Sequence, residues 1–212
     1  MSEFCFYGDP LLEIMIVNPS SVRNVFIEIF KIKGRKVTVQ DITRRTTMLL
    51  RQFPRVENLK LWTYIVVLLR RAQGILPNLP EFGRLTYLHL NKVRLETLIR
   101  LLHKAPLLET LFILQVTHGK CAVNDETVPL CLLSSLKVVK YGLSSGDEDE
   151  LCLMKYVLEN AAVLKRMVVF PSRMSDTSDE KQKDLVEKMK QVQKELLSFP
   201  KCSNVASIEF IS

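Results

Sequence analysis

Apolar positions in this chain recur in one spacing: a first apolar residue, a second three places on, and a third two places after that. The pattern occurs as Leu12, Met15, Val17; Val22, Val25, Ile27; Val56, Leu59, Leu61; and Leu85, Leu88, Leu90. It returns as Leu108, Leu111, Ile113; Leu136, Val139, Tyr141; Leu164, Met167, Val169; and Val205, Ile208, Phe210. From Val56 to Leu164 the starts lie 29, 23, 28 and 28 residues apart, and 41 residues separate Leu164 from Val205. The last two apolar positions alternate, which predicts one buried face of a strand. Periods in the range of roughly 20–29 residues belong to leucine-rich repeats, whose strand carries this spacing.

The intervening segments read as helices. "RLETLIRLLHK" gathers Leu95, Leu98, Ile99, Leu101 and Leu102 on one helical side and stops before Pro106. "DITRRTTMLLRQ" is expected to start at Asp41, an N-cap residue type, and to end before Pro54. "DEDELCLMKYVLEN" opens on four acids suited to the positive end of a helix dipole, with Leu151, Met154, Val157 and Leu158 as its stripe. Near the end, Thr177 and Glu180 form a capping box ahead of Leu185, Met189, Val192 and Leu196. "THGKCAVNDETVP" (117–129) has loop composition.

Strand and helix therefore alternate, and the predicted class is α/β: a leucine-rich-repeat solenoid with parallel strands on the concave face and helices outside. The tetrapeptide PLLE, at Pro10 and again at Pro106, reads as one joint of that solenoid, where a helix has ended and a strand begins. Only the second copy has a helix ahead of it, so the chain is expected to enter the solenoid partway through a repeat.

In each strand the residues between the inward positions point to the other side. They are Asn58, Lys60 and Trp62; Tyr87, His89 and Asn91; Thr110, Phe112 and Leu114; Val138 and Lys140; and Arg166 and Val168. Exposed aromatic and cationic side chains are what interfaces use as anchors, so Lys60, Trp62, Tyr87, His89, Phe112, Lys140 and Arg166 are the candidate partner-binding residues.

Composition narrows the classes. The chain has 212 residues, 47% hydrophobic and 25% charged, within the range of an ordinary globular protein. Its longest apolar run, Tyr64 to Leu69, is far too short to span a bilayer. The N-terminus carries Glu3 where a secretory signal would be basic, which leads us to expect the cytoplasm or nucleus. Five cysteines at wide spacings predict free thiols, not a disulfide framework. Residues 1–120 hold 18 Lys and Arg against 9 acids, and residues 121–212 hold 12 against 14. These basic residues are scattered and lack any nucleic-acid motif, so nucleic acid ranks below a protein partner.

Catalytic chemistry finds little support. His118, Cys121, Cys131 and His103 could suggest zinc, but no second ligand pair completes the spacing. Nucleophile-elbow and phosphate-loop motifs are lacking. "SSGDEDE" (144–150) fits a helix start better than a cation loop, although its serines could be phosphorylated. No cofactor is expected, and the chain reads as a non-enzyme. Small-molecule sensing under a loop at 117–129 is the alternative reading, with nucleic-acid binding behind it.

Finally, "LSSLKVVKYGLSSGDEDELCLMKYVLENAAVLKRMVV" and "ELLSFPKCSNVASIEF" resemble the FBD domain of plant F-box/leucine-rich-repeat proteins. The match runs through Leu136–Val169 and Glu195–Phe210, with Lys201 where Arg is common and Ala206 near where Cys is frequent. The resemblance implies a repeat region over residues 1–129 and an FBD domain over 130–212 that caps the solenoid. It also implies relatedness to substrate receptors of cullin-RING ubiquitin ligases, in which an F-box binds the adaptor and the repeats hold the target. Nothing before Asp9 is long enough to hold an F-box, so direct adaptor binding is not expected of this stretch.

Overall fold

The computed structural model describes residues 2–8, 14–29, 38–62, 79–116, 127–172 and 179–211. Among them the elements run β1 (Ser2–Gly8), a 3-10 turn (Pro19–Ser21), β2 (Val22–Ile29), α1 (Val39–Arg51), β3 (Asn58–Leu61) and β4 (Tyr87–Val93). There follow α2 (Leu95–His103), β5 (Thr110–Val116), α3 (Leu130–Ser134), β6 (Val138–Leu143), α4 (Glu148–Asn160), β7 (Arg166–Pro171), α5 (Asp179–Ser198) and β8 (Ser207–Phe210). The eight strands form one sheet in chain order, and every neighbouring pair is parallel.

The register places the repeated apolar residues side by side. Val25, Leu59, Leu88, Leu111, Val139, Met167 and Ile208 form one row across the sheet, and Ile27, Leu61, Leu90, Ile113, Tyr141, Val169 and Phe210 form the next. From β2 to β7 both rows are buried, in one core with the helix residues Leu50, Leu98, Leu102, Leu158, Val192 and Leu196. The helices thus cover one face of the sheet and leave the other open.

The repeat is also visible in the backbone. The carbonyl just before each of β3, β4 and β5 accepts from two amides of the next unit: Glu57 from Thr86 and Tyr87, Thr86 from Glu109 and Thr110, Glu109 from Lys137 and Val138. Lys137 does the same for Lys165 and Arg166. A parallel ladder needs its acceptors supplied in step at the strand entrance, and this joint supplies them. Glu109 is the Glu of the second PLLE, so that copy is a joint of the sheet.

The first copy is not followed by one. Pro10 to Glu13 lie outside the described residues, and Met15 and Val17 are in no strand and are 93% and 96% exposed. The physical reason is a competing clip. The Gln52 side chain donates to the Ile14 carbonyl at 2.7 Å and accepts from the Ile16 amide at 2.9 Å, tying this segment to the end of α1. The strand at this end is instead Ser2–Gly8, whose Phe4 and Phe6 follow Met1 in the same spacing.

Other expectations shift by small amounts. Helix α1 starts at Val39 because Thr38, not Asp41, is the N-cap: its hydroxyl accepts from the Asp41 amide at 3.1 Å, and Asp41 supplies the third position of the box. The five residues chosen for α2 are all buried. In α4 the stripe includes Leu153, which is fully buried, while Leu151 is half-buried. Thr177, the side chains of Glu180 and Leu185, and most of the 117–129 loop lie outside the described residues. Cys131 is buried and free and Cys5 and Cys202 are exposed and free, but Cys152 is disulfide-bonded, contrary to the all-thiol expectation.

Candidate functional site

On the open face the register assembles two rows. The first runs Glu3, Asn24, Asn58, Tyr87, Thr110, Val138, Arg166, Ser207; the second runs Cys5, Phe26, Lys60, His89, Phe112, Lys140, Val168, Glu209. Six of the seven candidate residues lie on these rows. Trp62 follows β3, where its amide donates to the Ile27 carbonyl at 3.1 Å, and its ring meets Phe26 edge-on at 6.0 Å.

Aromatic rings form two groups. Tyr7, Phe26 and Trp62 make the first, with 4.8 Å between the Tyr7 and Phe26 centroids. His89, Phe112 and Phe170 make the second: Phe112 lies between the other two, at 4.2 Å from His89 and 5.4 Å from Phe170. Sequence reasoning missed Phe26 and Phe170, although both alternate with inward residues of their strands.

The cations differ in state. Arg166 is not free: its Nε and Nη2 donate to the two Glu209 oxygens at 2.7 and 2.6 Å, a bidentate pair across β7 and β8. This pair raises the Arg166 pKa and lowers that of Glu209. Lys60 and Lys140 make no ion pair with any described residue, and Lys60 is exposed while Lys140 is half-buried. Between them sits His89, whose Nε2 is buried without a hydrogen-bond partner. Burial, helped by the Lys60 charge, lowers its pKa from 6.5 to about 4, so the ring is neutral at physiological pH.

Beside Lys60 the face dips into a groove of about 320 Å³ lined by Glu3, Asn24, Phe26, Asn58, Lys60 and Tyr87. Asn58 Nδ2 donates to Asn24 Oδ1 at 2.7 Å, which fixes both amides. Burial raises the Tyr87 pKa, so its hydroxyl keeps its proton and can donate. Chemically the arrangement offers hydrogen-bond donors, the two cations Lys60 and Lys140, and neighbouring aromatic rings. Of the zinc candidates, Cys131 donates its thiol to the Leu102 carbonyl at 3.7 Å with its pKa pushed up to about 12 by burial, His103 is exposed, and His118 and Cys121 lie outside the described residues.

Residues 124–169 match the FBD family. The chain is 28% identical over 141 residues to one F-box/FBD/LRR-repeat protein of Arabidopsis thaliana, and 30% identical over 141 residues to a second. These alignments cover 62% and 63% of this chain but only 29% and 28% of the relatives, so the matched stretch spans under a third of their length. No solved structure matches the chain.

The matched FBD region takes in α3, β6, α4 and the first four residues of β7, and so contributes Lys140 and Arg166 to the open face. Its SSGDEDE segment is a self-sufficient helix start. Asp147 accepts from the Glu150 amide at 3.0 Å. The buried Glu150 carboxylate in turn accepts from the amides of Ser144, Ser145 and Gly146 and from the Ser144 hydroxyl at 2.6 Å. A carboxylate so satisfied closes the loop on itself, which supports the helix-start reading over the cation loop. Among the described residues no helix is long and apolar enough to cross a membrane.

Proposed function

We propose that the chain is a non-enzymatic protein-interaction module: a leucine-rich-repeat solenoid of residues 1–129, continued and capped by an FBD domain of residues 130–212. In this reading it corresponds to the substrate-recognition part of an F-box ubiquitin-ligase receptor, and its protein target lies against the open face of the sheet. The observation that carries the proposal is the unbroken in-register stripe from Asn58 and Lys60 to Val138 and Lys140, which includes the rings of Tyr87, His89 and Phe112 and two lysines that make no ion pair with any described residue. A parallel sheet covered on one face only is unusual, because its open face must be kept soluble or be used.

The test is a comparison of the wild-type chain with the Lys60→Glu/Lys140→Glu variant as immobilised baits in plant extract, with circular dichroism confirming equal folding. Proteins retained by the wild type and lost from the variant are expected. An identical retained set for both would refute the open face as the binding surface.

A further inference from the structure

The open face has a charge pattern that selects among protein ligands, and this inference rests on the reading just given. Four side chains follow one another along the second row in the order Lys60, His89, Phe112, Lys140. The row is closed at its far end, since Val168 is only 3% exposed and Glu209 is occupied by Arg166. Lys60 and Lys140 are three strands apart, which at the usual interstrand spacing puts their Cα atoms about 14 Å apart. An extended peptide advances about 3.3 Å per residue, so four residues cover about 13 Å. Side chains at the first, third and fifth positions of such a peptide point the same way.

We propose that the open face binds an extended segment of a partner protein with the pattern acid-x-apolar-x-acid, laid across the strands. The first carboxylate meets Lys60, where the Tyr87 hydroxyl supplies a second donor beside the groove. The central apolar side chain rests on the edges of the His89 and Phe112 rings, and the second carboxylate meets Lys140. The reverse chain direction satisfies the same geometry, because the pattern is symmetric. Glu3, the one acid among the described residues lining the groove, lies two strands from Lys60 and disfavours further acids beyond the first position.

Two cations over aromatic rings could also suggest single-stranded nucleic acid, which stacks bases on ring faces. Here Phe112 is flanked by His89 and Phe170 at 4.2 and 5.4 Å, so its ring is already in contact on two sides. Asn24 and Asn58 likewise spend an amide donor and acceptor on each other. Two lysines are few for a phosphate chain, whose affinity grows with every phosphate neutralised.

The experiment uses the full 212-residue chain and a fluorescein-labelled nonapeptide, Gly-Ser-Glu-Ser-Leu-Ser-Glu-Ser-Gly, in a polarisation titration at low and physiological salt. Binding is expected to weaken with salt, and to weaken about tenfold for each of Lys60→Glu and Lys140→Glu. A peptide with lysine in place of the first glutamate should regain affinity for Lys60→Glu, a readout that misfolding could not mimic. An isomeric peptide with adjacent glutamates should bind as weakly as either single variant. Equal binding of the two isomers, or tighter binding of a nine-nucleotide single-stranded RNA, would overturn the proposal. A peptide-display selection separates this proposal from the broader reading: enrichment of a different pattern that still depends on Lys60 and Lys140 refutes the acidic ligand and leaves the open-face module standing. Absence of any selection that depends on these lysines removes both.

Discussion

The two faces of the sheet obey different rules. On the helix side, the rows beginning at Val25 and Ile27 are buried from β2 to β7, and each residue packs into one continuous core. On the open side, the alternating residues are mostly half-buried or exposed, Val168 and Gly142 being buried, and include lysines, asparagines and aromatic rings. The same strands carry both, one residue apart. The helix side therefore sets stability, and the open side is free to vary in chemistry provided its backbone spacing is kept. Substitutions one residue apart can test how far this division holds.

The largest contrast should come from β5. Leu111 is fully buried, and Leu111→Ala leaves a cavity expected to cost about 3 kcal/mol of unfolding free energy. Thr110→Ala, next to it on the half-buried open face, should cost well under about 1 kcal/mol. Urea denaturation of the two variants measures the difference. Equal losses would mean that the open face is as tightly packed as the core.

Gly142 is the exception that sharpens the division, because it sits on the open side yet tolerates nothing larger. A Cβ there would run into the Leu114 carbonyl oxygen and come within 3.1 Å of the carbonyl carbon, both backbone atoms of the adjacent strand. Gly142→Ala must therefore push β5 and β6 apart, at a cost of about 2 kcal/mol. A neutral effect on the urea midpoint would show that the two strands separate freely at this end.

The difference between the faces also explains what the sequence could reveal. Apolar spacing encodes the buried rows directly, so Leu59, Leu88, Leu111 and Val139 could be placed before any coordinates, and their outward neighbours with them. Spacing says nothing about which outward residues pair with each other. Arg166 and Glu209 are 43 residues apart, and only the register of β7 against β8 brings them together. The start of the chain was misread for a related reason. PLLE encodes a turn, but a strand follows only where a neighbouring carbonyl accepts its first amides; here the Gln52 side chain accepts from the Ile16 amide and donates to the Ile14 carbonyl instead. β1 follows the same spacing, with Phe4 three places after Met1 and Phe6 two places further on, so this strand was legible in the sequence and was obscured only by the later PLLE.

His89 offers a pH-dependent probe of how dry the open face is. Its pKa is about 4 in the folded chain against 6.5 when exposed. Between those values the unfolded chain takes up a proton that the folded chain refuses. Stability from this residue is therefore complete above about pH 6.5, declines as the pH falls, and levels off below about pH 4. Allowing for solvent screening of a half-buried ring, the loss is roughly 1–2 kcal/mol. His89→Gln should flatten that part of the profile, and comparing the two proteins at pH 7 and pH 4.5 cancels the carboxylates they share. Parallel profiles would show that water reaches the ring.

The smallest effect on folding should come from the Arg166–Glu209 pair, where the helix side is not involved at all. Both side chains are exposed enough that water screens their attraction, so Glu209→Gln should leave the urea midpoint unchanged. Its consequence belongs to the open face alone. Freed from its partner, Arg166 lies one strand beyond Lys140 and adds a cation near the stripe. The acidic nonapeptide should then bind slightly tighter, by about twofold, and with a steeper dependence on salt. If Glu209→Gln instead lowered stability while leaving peptide binding untouched, the pair would be part of the structural frame, and the division between the two faces would end at β6.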